Sequence, residues 1–78
     1  MTRYYFHIRS EDVFEDDIEG MELPSQEAAH SEAVAGAREI VAERVRRGET
    51  IGDDAFEVTT DQRDVIFSLS LRSVLKLV

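Results

Sequence analysis

Two histidines, His7 and His30, carry the only side chains of this sequence that ordinarily titrate near neutral pH, so acid–base chemistry would have to begin with one of them. Neither comes with a triad. The chain has no cysteine, no Gly-x-Ser-x-Gly elbow and no pair of histidines at metal-binding spacing, and its four glycines are isolated, so no loop can cradle a phosphate. An acidic run, Asp12, Glu15, Asp16, Asp17, Glu19 and Glu22, brings together the oxygens that hard cations prefer. No register of it supplies the alternating acids, the glycine and the bidentate glutamate of a calcium loop. It reads as a solvated acidic turn, and neither a metal nor a cofactor is expected. The most suggestive set is Tyr5, His7 and Arg9, an aromatic ring, an imidazole and a guanidinium at alternate positions, a combination suited to protein contacts because large rings and forked donors bind at low entropy cost.

Those three residues belong to a segment, Tyr4 to Arg9, whose alternation predicts a half-buried strand with Tyr4, Phe6 and Ile8 toward the core and Tyr5, His7 and Arg9 outward. On that outer face His7 is expected beside polar residues such as Ser68 or Ser70. A short second strand is expected near Ile18 to Leu23, stopped by Pro24. Ser25 then offers a helix N-cap, with Glu27 in the positive first turn, and Arg44, Arg46, Arg47 and Gly48 mark the far end. Along this helix Ala29, Ala33, Val34, Ala37, Ile40, Val41 and Val45 fall on one arc opposite Glu32, Glu39, Glu43 and Arg46. His30 lies near the start of the arc, within or at the rim of a core.

Ala55 to Thr60 and Val65 to Leu71 predict a hairpin around Asp61-Gln62-Arg63-Asp64, with Phe56, Val58, Val65, Phe67, Leu69 and Leu71 on the core face. The order strand, strand, helix, strand, strand gives the α+β class, a two-layer sandwich of one amphipathic helix on a small antiparallel sheet, with all 78 residues in one domain.

The opening Tyr4-Tyr5-Phe6-His7-Ile8-Arg9, the turn Asp17-Ile18-Glu19-Gly20-Met21-Glu22-Leu23-Pro24 and the alanine-rich helix Glu27 to Ala37 together resemble a family of short uncharacterised proteins, domains of unknown function, found mainly in alphaproteobacteria. That resemblance implies the fold and a bacterial cytosolic setting, and carries no reaction. A fainter likeness is to HicB-type antitoxin domains, which neutralise a small basic toxin; here only the Glu27-Ala28 pair and the acidic strand-turn-strand match, and the Pro-Asp-Leu-Pro-Gly signature is missing.

Seventeen acidic against nine basic side chains leave a net charge of −8, which repels polyphosphate and anionic membranes, so neither nucleic acid nor a membrane is an expected partner. Without cysteine, an apolar leader or a run approaching a membrane span, the expected location is the cytoplasm. The preferred function is a small interaction module that self-associates as a homodimer and presents an acidic surface to a basic protein partner. Its outer-face binding residues are Tyr5, His7 and Arg9. The alternative is a small-molecule binder or enzyme with a site at the subunit boundary, using His7 and Arg9. The module reading implies a protomer without a concave pocket; the alternative implies a cleft with converging polar groups. For self-association the tail offers Ile66, Val74, Leu75 and Val78. If the last strand ran to the end, Val74 and Val78 would emerge beside Ile66 on the outer face, whereas a terminal helix from Ser73 would bury Val74, Leu75 and Val78.

Overall fold

The computed structural model describes residues 1–75. Strand β1 (Thr2–Arg9) is followed by two short strands, β2 (Phe14–Glu15) and β3 (Met21–Leu23), then helix α1 (Gln26–Arg46), the hairpin β4 (Ala55–Thr60) and β5 (Val65–Ser70), and a 3-10 turn, Leu71–Val74. The five strands form one antiparallel sheet with α1 on one side. The strand expected near Ile18 to Leu23 is the shorter β3, and β2 lies outside that range; both pair to the same edge of β1, β2 opposite Ile8 and Arg9, β3 opposite Thr2, Arg3 and Tyr4. On its other edge β1 pairs with β4 over six residues, Tyr4 opposite Thr60 through Arg9 opposite Ala55.

The helix begins where its cap is. Ser25 has extended backbone and its hydroxyl accepts the Ala28 N–H, satisfying one of the orphan donors of the first turn. It ends in a Schellman turn: Gly48 N–H donates to the Val45 carbonyl and Glu49 N–H to the Arg44 carbonyl, with Gly48 at φ +73, a conformation that costs glycine little. The basic side chains there also tie the following loop, Arg44 reaching Asp54 at 2.8 Å and the Ile51 carbonyl at 3.3 Å.

Ala29, Ala33, Ala37 and Val41 are the helix positions that bury, at 5% exposure or less. They pack with Tyr4, Phe56, Val58 and Leu71. Alanine at every fourth position brings the helix close enough that a Cβ on Gly36 would touch the Phe56 ring at 3.4 Å. The expected stripe ends earlier than its pattern: Val34 and Ile40 are half-buried and Val45 is exposed. His30 is likewise exposed, at the rim, its ring centroid 5.4 Å from that of Phe67.

The hairpin departs from simple alternation. Phe56 pairs with Leu69 and Val58 with Phe67, but Thr59 pairs with Val65, so Ile66 is the additional residue of a bulge. That shift turns Val65 out to the face that carries Thr59, correcting its expected core position, and lets Ile66 pack against the core. Strand β5 stops at Ser70 because the fully buried Leu71 donates its N–H to the Asp54 carbonyl and Ser73 Oγ donates to the Ser70 carbonyl, closing the 3-10 turn. Neither expected tail geometry holds for the described part: the turn starts two residues before Ser73, and Val74 and Leu75 are partly buried against the core. Val78 lies outside the described residues.

Ala33 is 1% exposed at the centre of this contact. Ala33→Glu should abolish cooperative thermal unfolding, since a carboxylate would enter without a partner; circular dichroism through a melt reads it.

Candidate functional site

Between β2 and β3 the partner strand of β1 is interrupted, and one carboxylate fills the gap. Asp17 Oδ2 accepts the Phe6 N–H at 3.0 Å, while its Oδ1 accepts the N–H groups of Glu19 and Gly20, each at 3.2 Å. The second pair is an aspartate turn. Gly20 completes it at φ +70, where a Cβ would lie 2.9 Å from both Arg3 Cγ and Tyr5 Cε2 and 3.0 Å from the Tyr4 carbonyl oxygen, so only glycine fits. Burial by itself would push the Asp17 carboxyl up, but the Phe6, Gly20 and Glu19 N–H donors, helped by His7, outweigh it and hold the group below its ordinary value of 3.8.

This turn folds over the outer face of the sheet and covers His7, which is only 8% exposed. The expected face for His7 is therefore right and its expected exposure is not. Its neighbours also differ, because β1 pairs with β4 and not β5: His7 lies opposite Glu57, and its Nε2 is 2.9 Å from Thr59 Oγ1, away from Ser68 and Ser70. At Nδ1 two contacts compete, the Asp17 N–H at 3.0 Å and Asp16 Oδ1 at 2.8 Å. With the proton on Nε2, that nitrogen donates to Thr59 Oγ1 and Nδ1 accepts from the Asp17 N–H; with the proton on Nδ1, that nitrogen donates to Asp16 Oδ1 and Nε2 accepts from the Thr59 hydroxyl. The first arrangement satisfies two part-buried polar groups at once, the Asp17 N–H and the Thr59 hydroxyl.

Tyr5, His7 and Arg9 form a row, as their spacing requires, and Phe14 from β2 closes it. The Tyr5 and His7 rings are stacked at 6.3 Å, Phe14 lies 5.3 Å from His7, and the Arg9 guanidinium carbon sits 4.6 Å from the Phe14 ring centroid. Arg9 is also bound by Glu57. Tyr5 O–H donates to Asp61 Oδ1 at 2.8 Å, and that bond to a carboxylate, followed by desolvation, raises the phenol above 10.0.

Together the turn and the β4–β5 loop enclose a cleft of about 520 Å³ on the outer face. Its floor is Tyr5, His7 and Thr59. One wall is Phe14, Asp16, Asp17 and Ile18, the other Thr60, Asp61, Arg63 and Val65, with Glu57 at the end. Phe14, Ile18 and Val65 are exposed apolar residues at its rim. The outer face is therefore concave, contrary to the flat protomer that the module reading implied. Sequence reasoning missed Phe14, Asp17, Thr59 and Asp61 as partners of the row; of these only Asp17 had a local signal, the spacing Asp-x-x-Gly.

The hydroxyl beside His7 is that of Thr59, and among the described residues no group of three His, Asp or Glu is placed to hold a metal ion. Nor is any described helix long and apolar enough to cross a membrane. The model of a family described as "Domain of unknown function (DUF6894)" matches residues 3–72. No curated protein and no solved structure matches the chain.

Two outcomes follow from the geometry. Because the Asp17 carboxyl is lowered on folding, its contribution to stability is present above 3.8 and lost as pH falls through the lower folded value. Asp17→Asn, which sets an amide against the Phe6 N–H, should cost about 1–3 kcal/mol near neutral pH, with the difference from wild type shrinking below that value in urea titrations. His7→Ala should lower stability by a comparable 1–3 kcal/mol, roughly, since it strands the Asp17 N–H and Thr59 hydroxyl; an unchanged urea midpoint would contradict the burial of His7.

Proposed function

Since the chain belongs to this DUF6894 family, whose description carries no reaction, we propose from the cleft itself that the protein is a small interaction module that binds a basic segment of a protein partner on its outer sheet face and works as a homodimer. The observation that carries the reading is the composition of the cleft: Asp16, Asp17, Glu57 and Asp61 around a floor of stacked rings, with Phe14, Ile18 and Val65 at the rim. A guanidinium or ammonium can lie over the Tyr5 ring and meet Asp16 and Asp61 at its edges, while apolar neighbours in the partner cover the rim. The chain's net charge of −8 draws such a partner in from a distance. A basic partner is also what the likeness to HicB-type antitoxin domains implies, and a bacterial cytoplasmic setting fits the absence of cysteine.

Catalysis at the same place is the weaker reading. Both His7 ring nitrogens are engaged by the protein, and Arg9 is held by Glu57 and Phe14, so the two residues an enzyme would need already have structural work. Tyr5, His7 and Arg9 therefore act in this proposal as the rigid floor, and the binding carboxylates are Asp16 and Asp61.

A short peptide alternating arginine with leucine, titrated against the protein and followed by two-dimensional NMR, tests the reading. Shifts should centre on Tyr5, Phe14, Ile18 and Asp61, and the affinity should fall steeply with salt. Asp16→Asn together with Asp61→Asn should weaken binding by roughly tenfold or more. Shifts elsewhere on the surface, or affinity indifferent to salt and to both substitutions, would overturn it.

A further inference from the structure

The two edges of the sheet are unlike. One is broken into β2 and β3, two and three residues long, with the acidic turn between them. The other is β5, six residues, Val65-Ile66-Phe67-Ser68-Leu69-Ser70, and among the described residues nothing pairs with its outer side. In a chain of which a third of the residues are charged, this strand and the Leu71 after it carry no charge, while Asp64 precedes and Arg72 follows. Natural sheets usually blunt such an edge with lysine, proline or a cover, because its free amides and carbonyls recruit another strand.

We infer that β5 pairs antiparallel with β5 of a second copy, joining two sheets into one; this names the surface for the self-association in the proposal above and rests on that part of it. A second copy is the occupant that the charges select. The chain repels itself at −8, and β5 is the stretch where two copies meet without a like charge. Symmetry then fixes the register. A two-fold axis perpendicular to the sheet keeps every side chain on its own face, so some residue of β5 must lie opposite its own copy. Centring on Ser68 sets Phe67 opposite the copy's Leu69 on the core face and, counted past the bulge at Ile66, Val65 opposite the copy's Ser70 on the outer face, with no charged residue inside the pairing. Centring on Phe67 instead brings the charged Asp64, by the same count, opposite the copy's Leu69. Ser68 is exposed and lies outside the cleft lining, and both helices end on the same side of the joined sheet, with both clefts open on the other.

The chain has no cysteine, so a single substitution gives a specific cross-link. Ser68→Cys brings two thiols directly opposite across the axis, within disulfide reach, whereas Ser70→Cys lies opposite the copy's Val65 and its own copy lies farther off. In oxidised glutathione buffer Ser68→Cys should form a linked dimer at least about tenfold faster than Ser70→Cys, and wild type in sedimentation equilibrium should be a dimer at micromolar concentration. The linked dimer should still bind the arginine-leucine peptide at both clefts. A monomeric wild type would overturn the pairing together with the homodimer. A wild-type dimer whose Ser68→Cys links no faster than Ser70→Cys would overturn the β5 pairing alone. Neither result touches the cleft, which the peptide titration reads separately.

Discussion

The outer face depends on one carboxylate. Strand β1 needs a partner along its whole outer edge, and the segment that supplies one is interrupted where the chain bulges out between β2 and β3. A backbone amide left in that gap would be part-buried and unpaired, a cost comparable to a lost hydrogen bond. Asp17 meets the amide of Phe6 with one oxygen and shapes its own turn with the other. The consequence spreads from there: the turn is held over the sheet, His7 is buried beneath it, Phe14 is set over His7, and a cleft exists where an open sheet face would otherwise be flat.

The opposite face is governed by a different constraint, the distance between helix and sheet. Alanine at positions 29, 33 and 37 removes side-chain bulk from the contact, so the aromatic residues Tyr4 and Phe56 fill the layer from the sheet side. Small residues on the helix and large ones on the strands are two halves of one packing solution, as interior density requires. This rigid backing lets the outer face carry polar groups at fixed positions without the sheet bending around them.

How much of this was legible in the sequence follows from what each feature leaves in the pattern. The helix shows because Ser25, the alanine spacing and Gly48 are three local signals that agree, and β1 and β4 show because alternation over six residues survives in the chain. Strand β2 is two residues long and leaves no period. The bulge at Ile66 is an extra residue in an otherwise regular run, which shifts Val65 and Ile66 to opposite faces from those that alternation assigns. The burial of His7 is non-local, since it comes from residues ten positions further along folding back over it. The cleft was invisible for the same reason: its walls come from two loops separated by more than forty residues, and only Asp17-Ile18-Glu19-Gly20 hinted that one of them was ordered.

The central claim is that the Asp17 side chain stands in for the missing strand and holds the cleft's wall in place, and amide hydrogen exchange on Asp17→Ala tests it most directly. The account predicts that the Phe6, Glu19 and Gly20 amides lose protection, and that Phe14 and His7 lose their fixed contacts, while the β4–β5 amides stay protected because the helix and central strands do not need the turn. Unchanged protection at Phe6 would contradict it, and so would a uniform loss across the sheet.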